Sequence, residues 1–599
     1  MMEEFVLFEN GAISTICVAP GAPLTAFSAA RELSRCLQAM TGMVPETVQR
    51  WPQKGEISLA ADDALAEEEL CVKVEGNILW LDGGRRGILY AVTELLEQLG
   101  CRFFTEDCEL LPRAERIALP GNTDIRQKPI FEYRNSHWKN ITPTQAVRLR
   151  LNAISEAVIP ETLGGCMQYA GFVHTLGSLS EMEGDFTDRQ PCLTSEDTFN
   201  KVVKNLKARL KENPGASIAS VSQNDSHDFG RGCQCEKCRK LDEEQGTPMG
   251  SLLPFVNRVA DAIREDYPDL AIDTLAYRYT RKAPATLVAN DNVIVRLCSI
   301  ECCFSHPIAE CDFTTAAVED EPFSATLRRW ADHCKRIYVW DYTTNFRNYN
   351  APYPNFNVLR QNVRFFADCN VRGVFEQGNR QDINGEFGEL RGYLLAKLLW
   401  DPYMSEETYQ RHINEFLAGY YGKGADRLRA YFDRMLAAAK DVHFGIYYED
   451  PVQLFVDTQA QGSHLEKAAS FLAKGRADFE AAKVQADSVQ RTRVERAEIQ
   501  LDVYQWYLEY NRLLKKLGQP YAQDGTEPTF VIPEKLPPVP EDCTVDITAE
   551  KAALEAAAQL LEAHVRAAGI KQMHESFEKV KGIDLQAQPA YEQPAYWGA

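Results

Sequence analysis

The sequence predicts an α/β protein centred on a (β/α)8 TIM-type barrel, with a small N-terminal α/β domain and a C-terminal all-helical domain. Three observations carry that expectation. Between about residues 128 and 404, short β-branched or aromatic runs alternate with amphipathic helical patterns. Eight such runs fit the order of a (β/α)8 barrel. No Gly-rich phosphate turn follows the first run, which argues against the doubly wound alternative.

The elements follow in order. Residues 1–122 read as the small domain. "LTAFSAARELSRCLQAMTG" has helical periodicity and stops at Gly42, "EISLA", "LCVKVEG" and "ILWLDGG" read as strands, and "RRGILYAVTELLEQLGC" is a second amphipathic helix leading into a Pro-terminated strand. Residues 123–404 hold the barrel. Its expected strands are "FEYRNSH", "NAISEAVI", "GFVHTL", "SIASVSQND", "AIDTLAYRYT", "NVIVRLCSI", "RIYVWDYTT" and "VRGVFEQG". Residues 405–599 are long periodic helices, interrupted by a Pro-rich loop near 517–545. These helices suit packing on the barrel or a homodimer interface equally well.

Composition bounds the function. The chain has 599 residues, 45% apolar and 25% charged, and its 65 basic against 86 acidic residues give a net charge of −21. That balance repels phosphate backbones and argues against a nucleic-acid partner. No stretch reaches the roughly 18–20 apolar residues of a membrane span. The start, "MMEEFVLFENGAIS", puts two acids where a signal peptide has a basic region, so the expected location is cytoplasmic unless an export signal has been trimmed. Seventeen cysteines scattered along such a chain read as thiols or metal ligands rather than disulfides.

Active sites of such barrels lie at the C-terminal ends of the strands. The expected strand ends supply Arg134, His137 and Trp138, then His174, Asn224 and Asp225, Tyr277, Glu301, Trp340, Asp341 and Tyr342, and finally Glu376 and Gln377. This rim mixes carboxyl groups with aromatic platforms suited to the faces of sugar rings. Glycoside hydrolysis needs one protonated acid and a second carboxylate as base or nucleophile. Asp225, Asp341 and Glu376 are the candidates, and the other rim residues are candidate substrate contacts. Each has a plainer reading: Asp225 as a turn residue, Asp341 as a loop anchor, Glu301 as partner of Arg296 or another cation, and His174 and the aromatics as core.

In "SVSQNDSHDFGRGCQCEKC", Cys233, Cys235 and Cys238 have spacing suited to a structural zinc, with His227, His174 or Cys192 as fourth ligand. Reduced thiols are the alternative, and a redox pair at Cys235 and Cys238 a further one. No cofactor is expected for catalysis itself.

These segments also carry a resemblance. "RGILYAVTELLEQLGCRFF" followed by "FEYRNSH" resembles the junction between small domain and barrel in β-hexosaminidases and α-glucuronidases. With "LLPFVNRVADAI", "YVWDYTTNF", "GVFEQG" and "ELRGYLLAKLLWDP", the chain from about 20 to 440 resembles a bacterial family of unknown function in the glycosidase-barrel clan. The resemblance implies a glycoside hydrolase acting on a carbohydrate. α-Glucuronidases place their general acid after strand 4 in an Asn-Ser-Glu segment, which implies Asp225 as the acid, with base carboxylates from later strands, Asp341 or Glu376. Hexosaminidases carry an adjacent Asp-Glu pair there; this chain has Asn224-Asp225, a departure that argues against substrate-assisted hydrolysis of N-acetyl sugars. A carbohydrate-binding barrel without catalysis is the alternative from another class, and a metal-dependent hydrolase a weaker third.

Overall fold

The computed structural model describes residues 4–154, 158–184, 189–225, 232–314, 321–519 and 544–575. Contacts group the chain into two compact units. One comprises Met1–Ser136, Asn140–Cys166 and Gly392–Tyr403, the other His137–Lys139, Met167–Arg391 and Met404–Ala599.

In the first unit, a six-stranded sheet pairs Ile16–Val18, Ile57–Ala61 and Ile78–Gly83 in parallel, with Leu70–Glu75 antiparallel beside the last of these. The helices Leu24–Thr41 and Gly87–Gln98 pack on it, each presenting an apolar face as the periodicity predicts. Gly42 ends the first helix at φ 78°, a left-handed conformation that costs glycine nothing. Arg134 is fully buried in this unit. Its guanidinium donates to Glu68 at 2.7 and 3.1 Å and to the Phe131 and Arg150 carbonyls. The expectation that Arg134 stands on the barrel rim is therefore corrected: its donors are committed to a buried ion pair, whose disruption by losing one partner costs about 3–5 kcal/mol.

The barrel sheet has seven parallel strands among the described residues: β1 (Tyr133–His137), β2 (Tyr169–Ala170), β3 (Ile218–Ser220), β4 (Ala271–Ala276), β5 (Val293–Cys298), β6 (Ile337–Tyr342) and β7 (Gly373–Gln377). Their spatial order is β1-β7-β6-β5-β4-β3-β2. Every residue of β4, β5, β6 and β7 is buried, as expected for strands covered on both faces. Helices Glu196–Glu212, Met249–Arg264, Phe323–His333 and Phe356–Asp368 follow β2, β3, β5 and β6. The sheet curls on itself: Phe172, just beyond β2 at one edge, has its ring 5.1 Å from Phe375 on β7, near the other. Arg296 on β5 fills the interior, donating to Asp273 on β4 at 2.5 and 3.0 Å and to the Phe172 carbonyl at 2.8 Å.

Two expected strands differ. "NAISEAVI" forms no strand over its described residues, and residues 155–157 lie outside them. Among the described residues, β1 and β2 are the two edges of the sheet. "GFVHTL" is displaced: the strand is Tyr169–Ala170, and Leu176 already begins a helical turn. Gly171 at φ 76° and His174 at φ 53° break the extended run.

The helical region packs in the same unit as the barrel. The periodic run over 463–517 forms two helices, His464–Gln485 and Ser488–Lys516, because Asp487 and Gln490 form a reciprocal capping box. The expected Pro-rich loop falls almost wholly on 520–543, outside the described residues. Among the described residues, no helix is long and apolar enough to cross a membrane.

Candidate active site

Side chains alternate along a strand, and neighbours at one level of a parallel sheet share a face. The register pairs Cys298 with Trp340, Trp340 with Phe375, Asp341 with Glu376 and Tyr342 with Gln377. The inner face is identified by contact. Trp340 packs 4.9 Å from Phe375 and 5.5 Å from Phe172, the Arg296 guanidinium lies 5.4 Å from the Trp340 ring, and His137 lies 4.8 Å from Phe375. Tyr342 and Gln377 are two residues further along the same face.

Asp341 and Glu376 consequently point to the opposite face, toward the surrounding helices. They are 2% and 0% exposed. Asp341 accepts a hydrogen bond from the Ser299 hydroxyl, while neither Glu376 oxygen meets a partner among the described residues. Burial pushes the Asp341 carboxyl up to about 6, against its hydrogen bonds from Ser299 and the Tyr342 backbone. Burial, reinforced by Asp341, pushes Glu376 well above the usual carboxylate range. The expectation that both acids face the barrel mouth is corrected.

Two further expected contacts move away from the mouth. The Trp138 indole donates to the Thr343 hydroxyl at 3.2 Å and lies 5.3 Å from the Arg391 guanidinium, behind the sheet. Asn224 holds its own loop together: its Oδ1 accepts from the Gly177 amide at 2.7 Å and its Nδ2 donates to the Arg189 carbonyl at 2.7 Å.

Asp225 is different. It follows β3, and its side chain is 44% exposed. Tyr277 donates its hydroxyl to Asp225 Oδ1 at 3.3 Å, and His174 Nε2 lies 4.0 Å from the same oxygen. His174 Nδ1 is 2.8 Å from the Gln223 carbonyl, which fixes the proton on Nδ1 and leaves Nε2 toward the acid. Burial lowers the His174 pKa, and Asp225 opposes that shift. Arg278 stands 5.1 Å from the Tyr277 ring. Glu301 lies 3.6 Å from Arg281, and burial raises its carboxyl despite that cation.

A carboxyl that sequence reasoning missed completes the group. Glu575 lies beyond the last described helix. Its backbone N–H donates to the Phe346 carbonyl at 3.0 Å, and the Tyr349 N–H donates to the Met573 carbonyl at 2.7 Å. This short ladder ties the segment to the loop after β6. Tyr447 donates to Glu575 Oε2 at 3.3 Å and Gln377 to Oε1 at 3.5 Å, while Gln377 itself accepts from Trp340 at 2.8 Å. Burial pushes the Glu575 carboxyl up to about 7; its hydrogen bonds from Tyr447 and Gln377 oppose the shift and nearby Asp225 reinforces it. The inner face thus joins Asp225, Tyr277, Tyr342, Gln377 and Glu575, with one carboxyl titrating near neutrality.

The cysteine loop gains a fourth thiol. The sulfurs of Cys192, Cys233, Cys235 and Cys238 all lie within 4.8 Å of one another, with Cys192 at 3.7 Å from Cys235 and 4.0 Å from Cys238. A tetrahedral zinc with bonds of about 2.3 Å sets its sulfurs roughly 3.8 Å apart, so this set fits the ion. Among the expected fourth ligands, Cys192 has the geometry, His174 is engaged at Asp225, and His227 lies outside the described residues.

Comparison with curated proteins finds no match. Among solved structures, the chain is similar to a GH115 4-O-methyl-α-glucuronidase, BtGH115A, with specificity for decorated arabinogalactans, at 13% identity and TM-score 0.58 over 94% of this chain and 77% of that one. It is also similar to a GH138 enzyme targeting pectin rhamnogalacturonan II, at 12% identity and TM-score 0.45 over 84% of this chain and 87% of that one. A Streptomyces plicatus N-acetyl-β-hexosaminidase matches at 12% identity and TM-score 0.41 over 70% and 91%. At 13% identity the likeness to the α-glucuronidase is one of fold alone. Residues 103–433, more than half of the chain, match the family described as Domain of unknown function (DUF4838), and the chain belongs to that family.

Proposed function

We propose that the protein is a glycoside hydrolase whose carboxyl pair is Asp225 and Glu575. The single observation that carries this reading is the chain of hydrogen bonds from Trp340 through Gln377 to Glu575, which holds an acid raised to about 7 on the same inner face as Asp225. A carboxyl protonated near neutral pH can give the leaving oxygen its proton. Asp225, held by Tyr277 and beside His174, supplies the second carboxylate as base or nucleophile. The acid role that resemblance gave to Asp225 passes to Glu575, because burial raises the Glu575 carboxyl to about 7. Tyr447, 46% exposed, offers aromatic surface beside the pair. The four thiols at Cys192, Cys233, Cys235 and Cys238 bind a structural zinc that ties Cys192 to the Cys233–Cys238 segment; with four protein ligands it has no open position for chemistry.

The test is turnover of a panel of 4-nitrophenyl glycosides and plant oligosaccharides by the full chain and by Asp225→Asn. Turnover by the native chain and its loss by at least about 10²-fold in the variant are expected. Equal rates for the two would remove Asp225 from the mechanism.

A second reading is a carbohydrate-binding barrel without catalysis. It is favoured by the burial of Asp341 and Glu376 behind the sheet, which removes the pair expected from the sequence. Calorimetric binding of a sugar that the native chain never cleaves would select it.

A further inference from the structure

Beyond the barrel mouth, a second set of metal-type donors stands on the loop after β5. Cys303, His306 and Cys311 come from that loop, and His443 follows the helix Ala425–Ala439. One ligand atom from each lies within 4.8 Å of all the others. We propose that these four side chains form a structural, tetrahedral zinc site that fastens the β5 loop to the helical region.

The spacing suits the ion. With Zn–S near 2.3 Å and Zn–N near 2.05 Å, tetrahedral sulfur and nitrogen ligands stand roughly 3.6 Å apart. Cys303 Sγ is 3.3 Å from His306 Nδ1, and Cys311 Sγ is 3.6 Å from His443 Nδ1. The His306 tautomer is set by its other nitrogen: Nε2 lies 2.9 Å from the Lys440 carbonyl, which can only accept, so Nε2 carries the proton and Nδ1 keeps its lone pair for a metal. The surroundings hold the donors together without the ion. Cys302 and Thr314 bridge the base of the loop, Phe304 N–H donates to the Phe444 carbonyl at 3.0 Å, and Phe313 stacks on the His443 ring at 4.5 Å. Two thiolates balance the charge of one divalent cation, so the filled site is neutral. Four protein ligands leave no position for substrate water, which marks the site as structural.

The site bears on function through position alone. Glu301 lies two residues before Cys303 on the same loop, so the metal would fix the stretch that sets Glu301 against Arg281.

The test is zinc analysis of the full chain with zinc K-edge absorption spectroscopy, on the native protein and on His443→Ala and Cys311→Ser. The expected native result is about two zinc per chain, with an average first shell of three sulfurs and one nitrogen. One zinc with two sulfurs and two nitrogens also supports the site, and would mean that the four-thiol cluster is empty. Each variant should lose about one equivalent of zinc and the nitrogen shell, with its circular dichroism retained. An all-sulfur shell in the native chain, no zinc after supplementation, a Cys303–Cys311 disulfide, or unchanged zinc in both variants would overturn the proposal. The native spectrum decides the matter if the variants do not fold.

Discussion

Two pairs of carboxyl groups sit near the C-terminal ends of the barrel strands, in opposite surroundings. Asp341 and Glu376 are register partners on β6 and β7, fully buried between sheet and helices. Asp225 and Glu575 come from a loop after β3 and from the far end of the chain, and they meet the inner face through Tyr277, Gln377 and Tyr447. Both pairs contain an acid raised by burial. Only the second combines that with hydroxyl and amide donors, aromatic surface and an exposed carboxylate. The difference teaches that residue type at a strand end does not define a site. One step along a strand changes the face, and with it whether an acid meets substrate or a helix.

The comparison can be broken at four places, in descending order of effect. Asp225→Asn has the largest, the loss of turnover already described. Glu575→Gln comes next. An acid must hold its proton, so native activity should fall as pH rises through about 7, and the variant should lose both that alkaline limb and about 10²-fold or more in rate. An unchanged pH–rate profile would take Glu575 out of the acid role. Tyr277→Phe should cost several-fold in kcat/KM, on the order of 1 kcal/mol for one hydrogen bond, with folding intact. The smallest effect on activity belongs to Glu376→Gln, expected within a few-fold of native. Its signature is in stability. Acids whose folded pKa is raised lose stability as pH rises, from the usual carboxylate value through the raised one: for Asp341 from about 4 to about 6, and for Glu376 beyond that. Thermal melts of Glu376→Gln should therefore show a shallower loss toward pH 8 than native melts. Loss of turnover with native-like melts would instead return Glu376 to the mechanism.

Much of the barrel was legible because its strands are covered on both faces and read as dense apolar runs, such as Val293–Cys298 and Ile337–Tyr342. Those same runs hide which face each residue takes, since a strand buried on both sides shows no alternation to count. Asp341 and Glu376 were misplaced for that reason. The break at Asp487 was readable, because Asp487 and Gln490 have capping-box spacing. Glu575 was not, because a backbone ladder between residues far apart in sequence leaves no local pattern. The cysteine loop announced three of its four thiols and offered Cys192 as one of three candidates for the fourth; the fold makes the choice. Cys303-x2-His306 was a visible ligand spacing, while His443 gave no sign of belonging with it.

The most direct test of which carboxyls face the mouth needs no substrate. The native full chain is treated with a water-soluble carbodiimide and glycine ethyl ester, and the modified carboxyls are mapped by peptide mass spectrometry. Asp225 and Glu575 should be modified under native conditions, with Asp341 and Glu376 reacting only after unfolding. Modification of Asp341 or Glu376 in the folded chain, with Asp225 and Glu575 untouched, would contradict the assignment of the two faces.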